Sequence, residues 1–304
     1  MMPKTTLNVP KPISSGAVIT KALLRQFKKR QHSSAHMPTR TVESTRTLDP
    51  AEVAAFHRVV AAPVSDTVHP GYLHKLGFPL AMQLMTDPGF PLPLLGLVHV
   101  LNRFALHRPV RIGETVTTQV HIGQARKHRK GTEFDVEITG LVDGETVFDE
   151  TATYLAIGKH LACAEAEREE QRTEFEVPSA PSAIWKLARS IGPAYAKVSG
   201  DYNPIHMNPL AAKAFGFPAS IAHGMYTASR AFSATQGGWD AYTWQAQFAK
   251  PVILPARVGF GVFDGTAGGG RSFAVWDLKK GKPHVLGSVR PLSFSTDGAA
   301  SDQG

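Results

Sequence analysis

Asp201 and His206 lie five residues apart in the run Ser199-Gly200-Asp201-Tyr202-Asn203-Pro204-Ile205-His206. A carboxylate accepts protons and an imidazole titrates near neutral pH, so the pair holds the two components that acid/base chemistry needs. The residues between them restrict where the two side chains can go. Gly200 ends a regular element and opens a turn. Asn203 is a good N-cap and Pro204 a good first helical residue, so a short helical turn starts there with His206 in it. Pro209 stops that turn from continuing easily. Held in this way, both side chains can converge on one small molecule such as a water. The same residues also suit a plain turn former and a solvated histidine, and the short motif alone leaves both readings open.

A second feature follows. Ile221-Ala222-His223-Gly224-Met225 opens an apolar helix that runs to about Thr235. Backbone N–H groups at a helix N-terminus lack intrahelical partners, and glycine lets a ligand approach them closely. An N–H at Gly224 could therefore receive negative charge developing on a carbonyl oxygen. The competing reading is structural: Gly224 allows close helix–sheet packing and His223 is a polar residue at a helix start.

The elements that must position these groups are legible from pattern. Asp49 and Pro50 open a helix that ends near Val60. A second helix covers roughly 73–86, with Pro79 predicting a kink or a late start. Strands are expected at 97–106, 114–122, 133–141 and 146–157, and Asp143-Gly144 joins the last two as a hairpin. The charged, apolar-poor stretch 164–172 reads as a linker. The second half then repeats the order of the first. His107-Arg108-Pro109-Val110 resembles Ala249-Lys250-Pro251-Val252 at an offset of 142 residues, each followed by strands ending in a hairpin, the second at Lys280-Gly281-Lys282. A helix followed by sequential strands, twice, predicts an internal duplication and an α+β fold with antiparallel sheet.

Composition bounds the rest. The 304 residues are 42% hydrophobic and 19% charged, as expected of a globular chain with two domains. The net charge of +8 belongs wholly to residues 1–40, which hold eight basic and no acidic residues; the remaining chain has 25 of each. A neutral body argues against a nucleic-acid partner. Residues 1–13 read as an extended arm and 14–30 as a helix. That basic helix is open to three readings: an organelle-targeting segment, a membrane-surface helix, or an apolar stripe packed on the body. Cys163 is the only cysteine, which excludes an intrachain disulfide and a cysteine zinc site and suits a reducing cytoplasm. No apolar run reaches the ~20 residues of a transmembrane segment. Residues 293–304 read as a small, polar tail.

The run from Tyr195 to Ala212, followed by Ala222-His223-Gly224-Met225, resembles the signature of MaoC-like dehydratases, the (R)-specific enoyl-CoA hydratase 2 group. Phe78-Pro79-Leu80-Ala81-Met82 and Leu94-Leu95-Gly96-Leu97-Val98-His99 extend the likeness to the two-module, double hot-dog dehydratases of actinobacterial fatty-acid pathways. The resemblance implies two sheets, each wrapped around a central helix, at 73–86 and 222–235. It implies reversible syn addition of water to a trans-2-enoyl thioester, giving an (R)-3-hydroxyacyl thioester. Asp201 and His206 would activate the water, with the acid and base roles left open, and Gly224 N–H would polarise the thioester carbonyl. Asn203, His223, Ser229 and Ser233 would orient the dyad or bind substrate. No metal and no redox cofactor is implied. The partner would be an acyl-CoA or acyl-carrier-protein thioester, and the assembly either a monomer or a homodimer.

The first half departs from the pattern. Val64-Ser65-Asp66-Thr67-Val68-His69-Pro70 is a faint echo without the D-x-N-P-x-H run, so this half reads as non-catalytic and as widening the acyl pocket. The expected organisation is a basic arm at 1–40, a non-catalytic module at 41–163, a linker at 164–176, a catalytic module at 177–292 and a tail at 293–304. Arg126-Lys127-His128-Arg129-Lys130 reads as a solvated hairpin tip; Arg230, Lys250 and Arg257 lie nearer the candidate site in sequence. Two alternatives stand beside the hydro-lyase. A hot-dog thioesterase would need a carboxylate on the helix 222–235, which has none. A non-catalytic acyl-thioester-binding subunit would not need the Asp201/His206 pair.

Overall fold

The computed structural model describes residues 6–8, 36–94, 96–162, 175–266 and 269–292. The expected helix at 14–30, most of the linker, Cys163 and the tail from 293 lie outside the described residues.

Among the described residues, eleven strands form one sheet. The first half contributes β1 (Thr6–Asn8), β2 (Thr41–Thr47), β3 (Leu97–Leu106), β4 (Thr115–His128), β5 (Gly131–Val142) and β6 (Glu145–Ile157). The second contributes β7 (Ala183–Leu187), β8 (Tyr242–Phe248), β9 (Ala256–Thr266), β10 (Gly270–Asp277) and β11 (Pro283–Pro291). Their spatial order is β1-β2-β4-β5-β6-β3-β8-β11-β10-β9-β7. From β2 inward the first half runs 2-4-5-6-3, and from β7 inward the second runs 7-9-10-11-8, so each strand has a counterpart at the mirrored place. The halves meet where β3 and β8 pair antiparallel, with Leu101 opposite Gln247, Phe104 opposite Trp244 and Leu106 opposite Tyr242. The duplication expected from the 142-residue offset is therefore built into the sheet.

Six helices complete the described fold: α1 (Pro50–Val59), α2 (Pro70–Met85), α3 (Ile191–Ser199), α4 (Pro204–Met207), α5 (Pro209–Ala214) and α6 (Gly224–Thr235). Asp49 caps α1, its carboxylate accepting from the N–H groups of Ala51 and Glu52 at 2.8 and 3.0 Å. Helix α2 runs through Pro79 and starts earlier than the sequence suggests. It is buried on nearly every side, and that packing outweighs the lost hydrogen bond at proline. Aromatic rings join the two halves in one core: Phe104 lies 6.4 Å from Trp244, and Phe56 of α1 lies 5.9 Å from Tyr195 of α3.

Several local expectations hold and others shift. The turn between β5 and β6 has Asp143 and Gly144 at φ 53° and 84°, the left-handed pair that an Asp-Gly hairpin calls for. Strand β4 extends past the expected end at 122, through a bulge between Ile122 and Ala125. Arg126 is not a solvated tip residue. It is 9% exposed and makes a two-pronged bond to Asp135 at 2.7 and 2.8 Å. In the basic arm, β1 pairs parallel with β2 and extends the sheet. Among the described residues no helix is long and apolar enough to cross a membrane.

Candidate active site

The turn that carries Asp201 is fixed by local bonds. Helix α3 ends at Gly200, whose φ of 81° is the left-handed stop that glycine favours. The Asp201 carboxylate accepts from Asn203 N–H at 3.1 Å, and Asn203 Oδ1 caps α4 by accepting from Ile205 N–H. Asn208 then caps α5 behind Pro209. These are the bonds that the order Asp-x-Asn-Pro favours, because aspartate and asparagine close turns on their own backbone.

His206 lies on α4 and is 8% exposed. Its Nδ1–H donates to the Ile221 carbonyl at 2.9 Å. A carbonyl only accepts, so Nδ1 carries the proton and Nε2 keeps its lone pair. Burial holds the imidazole below its ordinary pKa, while the Asp201 carboxylate and the Ile221 bond act the other way. The neutral ring is thus favoured in the resting state, and the nearby carboxylate favours its protonated form.

His223 lies beneath this pair. It is 2% exposed, its Nε2–H donates to the Asp201 backbone carbonyl at 2.9 Å, and the same nitrogen is 3.7 Å from the Asp201 carboxylate. Burial first, and then the neighbouring His206, push its pKa down to about 3. Asp201, His206 and His223 each offer one atom within 4.8 Å of the others, a spacing that one water could bridge. Three such groups also raise the question of a cation. His206 Nδ1–H and His223 Nε2–H already donate to backbone carbonyls, so each ring keeps one lone pair, and the two imidazoles stack with centroids 3.7 Å apart and planes 27° apart.

The two central helices start differently. His69 precedes α2 and His223 precedes α6, both with φ −62° and ψ 136°. His69 Nδ1 accepts from Gly71 N–H at 2.9 Å, and Pro70 has no N–H to offer, so this helix start is closed. His223 makes no such bond to its own helix, and Gly224 is exposed. The first N–H groups of α6 are left open beside the Asp201 turn. A side chain at Gly224 would put its Cβ 2.9 Å from the Phe248 ring, so glycine is required by close approach.

The first half supplies part of the surroundings, which sequence patterns did not show. Phe248 packs against His99, and His99 stacks on Tyr154, each at 4.8 Å between centroids. Burial raises the Tyr154 and Tyr195 phenols, and the Asp201 and Glu150 carboxylates add to it, so both rings feel the site's charge. Tyr195 also lies 5.0 Å from His223. The hydrogen bonds of Ser233 run to His69 and to the helix backbone, and the Ser229 carbonyl receives His69 Nε2. Neither serine is joined to Asp201 by a hydrogen bond; both stand at the start of α2.

Comparison with known proteins identifies the family of the chain. Residues 171–265 match the MaoC like domain, and residues 18–150 match the FAS1-like dehydratase domain region. The 3-hydroxyacyl-thioester dehydratase X of Mycobacterium tuberculosis is 34% identical over 258 residues, which is 84% of this chain and 91% of that protein. The chain belongs to the MaoC-like dehydratase family. This MaoC-like dehydratase is accordingly a hydro-lyase with the double hot-dog fold. The crystal structure of HtdX from M. tuberculosis superposes with a TM-score of 0.73 at 32% identity, covering 83% of this chain and 100% of that one. A MaoC-like dehydratase from Phytophthora capsici shares the fold at 19% identity, with a TM-score of 0.66 over 88% of this chain and 99% of the other.

Proposed function

We propose that the C-terminal half, residues 177–292, interconverts trans-2-enoyl and (R)-3-hydroxyacyl thioesters in fatty-acid metabolism, and that the N-terminal half, residues 41–163, has no site of its own. The observation that carries this reading is the His206 Nδ1 bond to Ile221, which leaves Nε2 its lone pair in a ring with a nitrogen within 4.8 Å of the Asp201 carboxylate.

In hydration, a water held between Asp201 and His206 attacks C3 of the enoyl group. His206 Nε2 takes one water proton as the C3–O bond forms. The C2=C3 electrons move toward C2, and negative charge builds on the thioester oxygen. The open N–H at Gly224 stabilises that charge, where donors act most strongly. The proton on His206 then passes to C2 on the same face, which gives syn addition and returns the imidazole to neutral. The net change is one water added and nothing else consumed. Asp201 holds the water and supports the transient imidazolium. Asn203 and His223 hold the Asp201 turn. In the N-terminal half the corresponding helix start is closed by His69, which supports a single site per chain.

The test is loss of enoyl absorbance with crotonyl-CoA and with a longer trans-2-enoyl-CoA, with chiral analysis of the product. Hydration to the (R)-alcohol is expected, with a fall of at least ~100-fold in Asp201→Asn and in His206→Ala. Unchanged rates in both variants, or an (S)-product, would refute it. Thioester binding without turnover would favour a binding subunit.

A further inference from the structure

A groove of about 980 Å³ opens at the end of the C-terminal half, between the loop after β8 and the β10–β11 turn. Lys186, Lys250, Arg257, Lys279, Lys280 and Lys282 line it. All six are exposed, and none forms an ion pair among the described residues. The one carboxylate on the lining, Asp277, is turned onto its own hairpin, where it accepts from the N–H groups of Lys279 and Lys280 at 2.8 and 2.9 Å. Outside residues 1–40 the chain has equal numbers of basic and acidic residues, so six unpaired cations around one concavity are a local concentration of charge.

The groove adjoins the candidate site through the backbone. Its wall includes Val252 and Ile253. Val252 O accepts from Ala222 N–H at 2.9 Å, Leu254 N–H donates to Ser220 O at 2.8 Å, and Ile253 bridges Ile221, whose carbonyl anchors His206. Two extended segments therefore separate the groove from His206, roughly 10 Å at ordinary strand spacing. Lys250 follows Phe248, the ring against Gly224, by two residues.

We propose that this groove holds the phosphorylated nucleotide end of a coenzyme A thioester, its diphosphate and 3′-phosphate meeting the six cations while the pantetheine arm reaches Gly224. The inference rests on the thioester reading above and names the carrier. Shape favours the nucleotide over an acidic carrier protein. The volume falls in the ~300–1,000 Å³ range of small-molecule sites, whereas protein docking uses broad faces of about 800 Å² on each partner. Lysine and arginine tips around a concavity match several phosphates held close together.

The experiment uses the full chain and a triple variant, Lys186→Glu, Lys250→Glu and Lys282→Glu. Calorimetry with adenosine 3′,5′-bisphosphate measures the groove without catalysis. Turnover is measured with crotonyl-CoA, with the crotonyl thioester of N-acetylcysteamine, and with the same acyl group on a carrier protein. Nucleotide binding to the wild type is expected, weakened at least tenfold in the variant. The kcat/KM ratio of the coenzyme A substrate to the truncated one is expected to fall at least tenfold as well. No nucleotide binding, or an unchanged ratio, overturns the proposal. An effect confined to the carrier-protein substrate also overturns it and assigns the face to a protein. If the wild type binds nucleotide but hydrates none of the three thioesters, the functional reading fails while the groove assignment stands.

Discussion

The imidazole of His206 lies flat against that of His223, centroids 3.7 Å apart, while His223 grips the Asp201 carbonyl at 2.9 Å. One buried ring thus sets the position of both members of the proposed dyad. His223→Phe keeps a ring in the stack and removes the donor. It should lower kcat by between about 10- and 100-fold through misplacement of Asp201, with KM little changed. His223→Gln, which restores an N–H, should recover part of the loss. Steady-state kinetics on both variants decide it, and a normal kcat in the phenylalanine variant would remove His223 from the positioning role.

Gly224→Ala separates stability from activity. Gly224 is the first residue of α6, where the helix-interior preference for alanine counts for little, so the variant should fold with at most a modest fall in melting temperature from the added Cβ. The added Cβ would strike Phe248 at 2.9 Å and displace the ring beside the open N–H groups. A drop of about tenfold or more in kcat/KM is expected, given what removing an oxyanion donor costs. Equal activity in a folded Gly224→Ala protein would show that close approach at this point does not matter to the reaction.

The closed helix start at His69 predicts the reverse split. His69→Ala removes the acceptor for Gly71 N–H and should cost about 1–2 kcal/mol or more by denaturant unfolding. Hydration by the folded fraction should persist if, as proposed, the half that holds His69 has no site of its own. His69→Asn, which can still cap, should regain stability. Loss of turnover per folded molecule would place His69 in the chemistry.

Stability should depend on pH through the buried histidines. His69 and His223 are held to about 3 by burial, against ~6.5 in an unfolded chain. Between those values the unfolded chain binds more protons. The stabilisation is complete above about 6.5 and is lost progressively as pH falls toward 3, on the order of 1 kcal/mol per pH unit for each histidine. Urea midpoints at pH 7, 6 and 5 should decline, and the decline should be shallower in His69→Asn. A flat profile down to pH 5 would show that these rings are not held neutral.

What the sequence makes legible is local. Asp-x-Asn-Pro closes a turn with its own side chains, so the Asp201 turn and the α4 start can be read without knowing the rest of the molecule. The β3 bounds and the Asp143-Gly144 hairpin are of the same kind. What is hidden depends on distant pairing. His223 meets Asp201 across 22 residues, and Tyr154 and His99 reach the site only because β3 pairs with both β6 and β8. Arg126 reads as one charge among five, because its partner Asp135 lies across a hairpin with a bulge. Ser229 and Ser233 have the right chemistry for steadying a carboxylate, yet where α6 crosses the start of α2 the Ser233 hydroxyl bonds His69 and the Ser229 hydroxyl packs against Gly71. Strand β7 lies close to a charged stretch and is short, which leaves little alternation to detect.

The two related halves that meet at the β3–β8 seam belong to one polypeptide. In a pair of identical subunits every substitution is inherited twice, and a histidine that seals one helix start would seal the other. Fusion lifts that constraint. Each half accumulates changes independently, so one helix start could be plugged while its sibling stayed open, and a single gene came to encode unlike partners without any need for them to find each other.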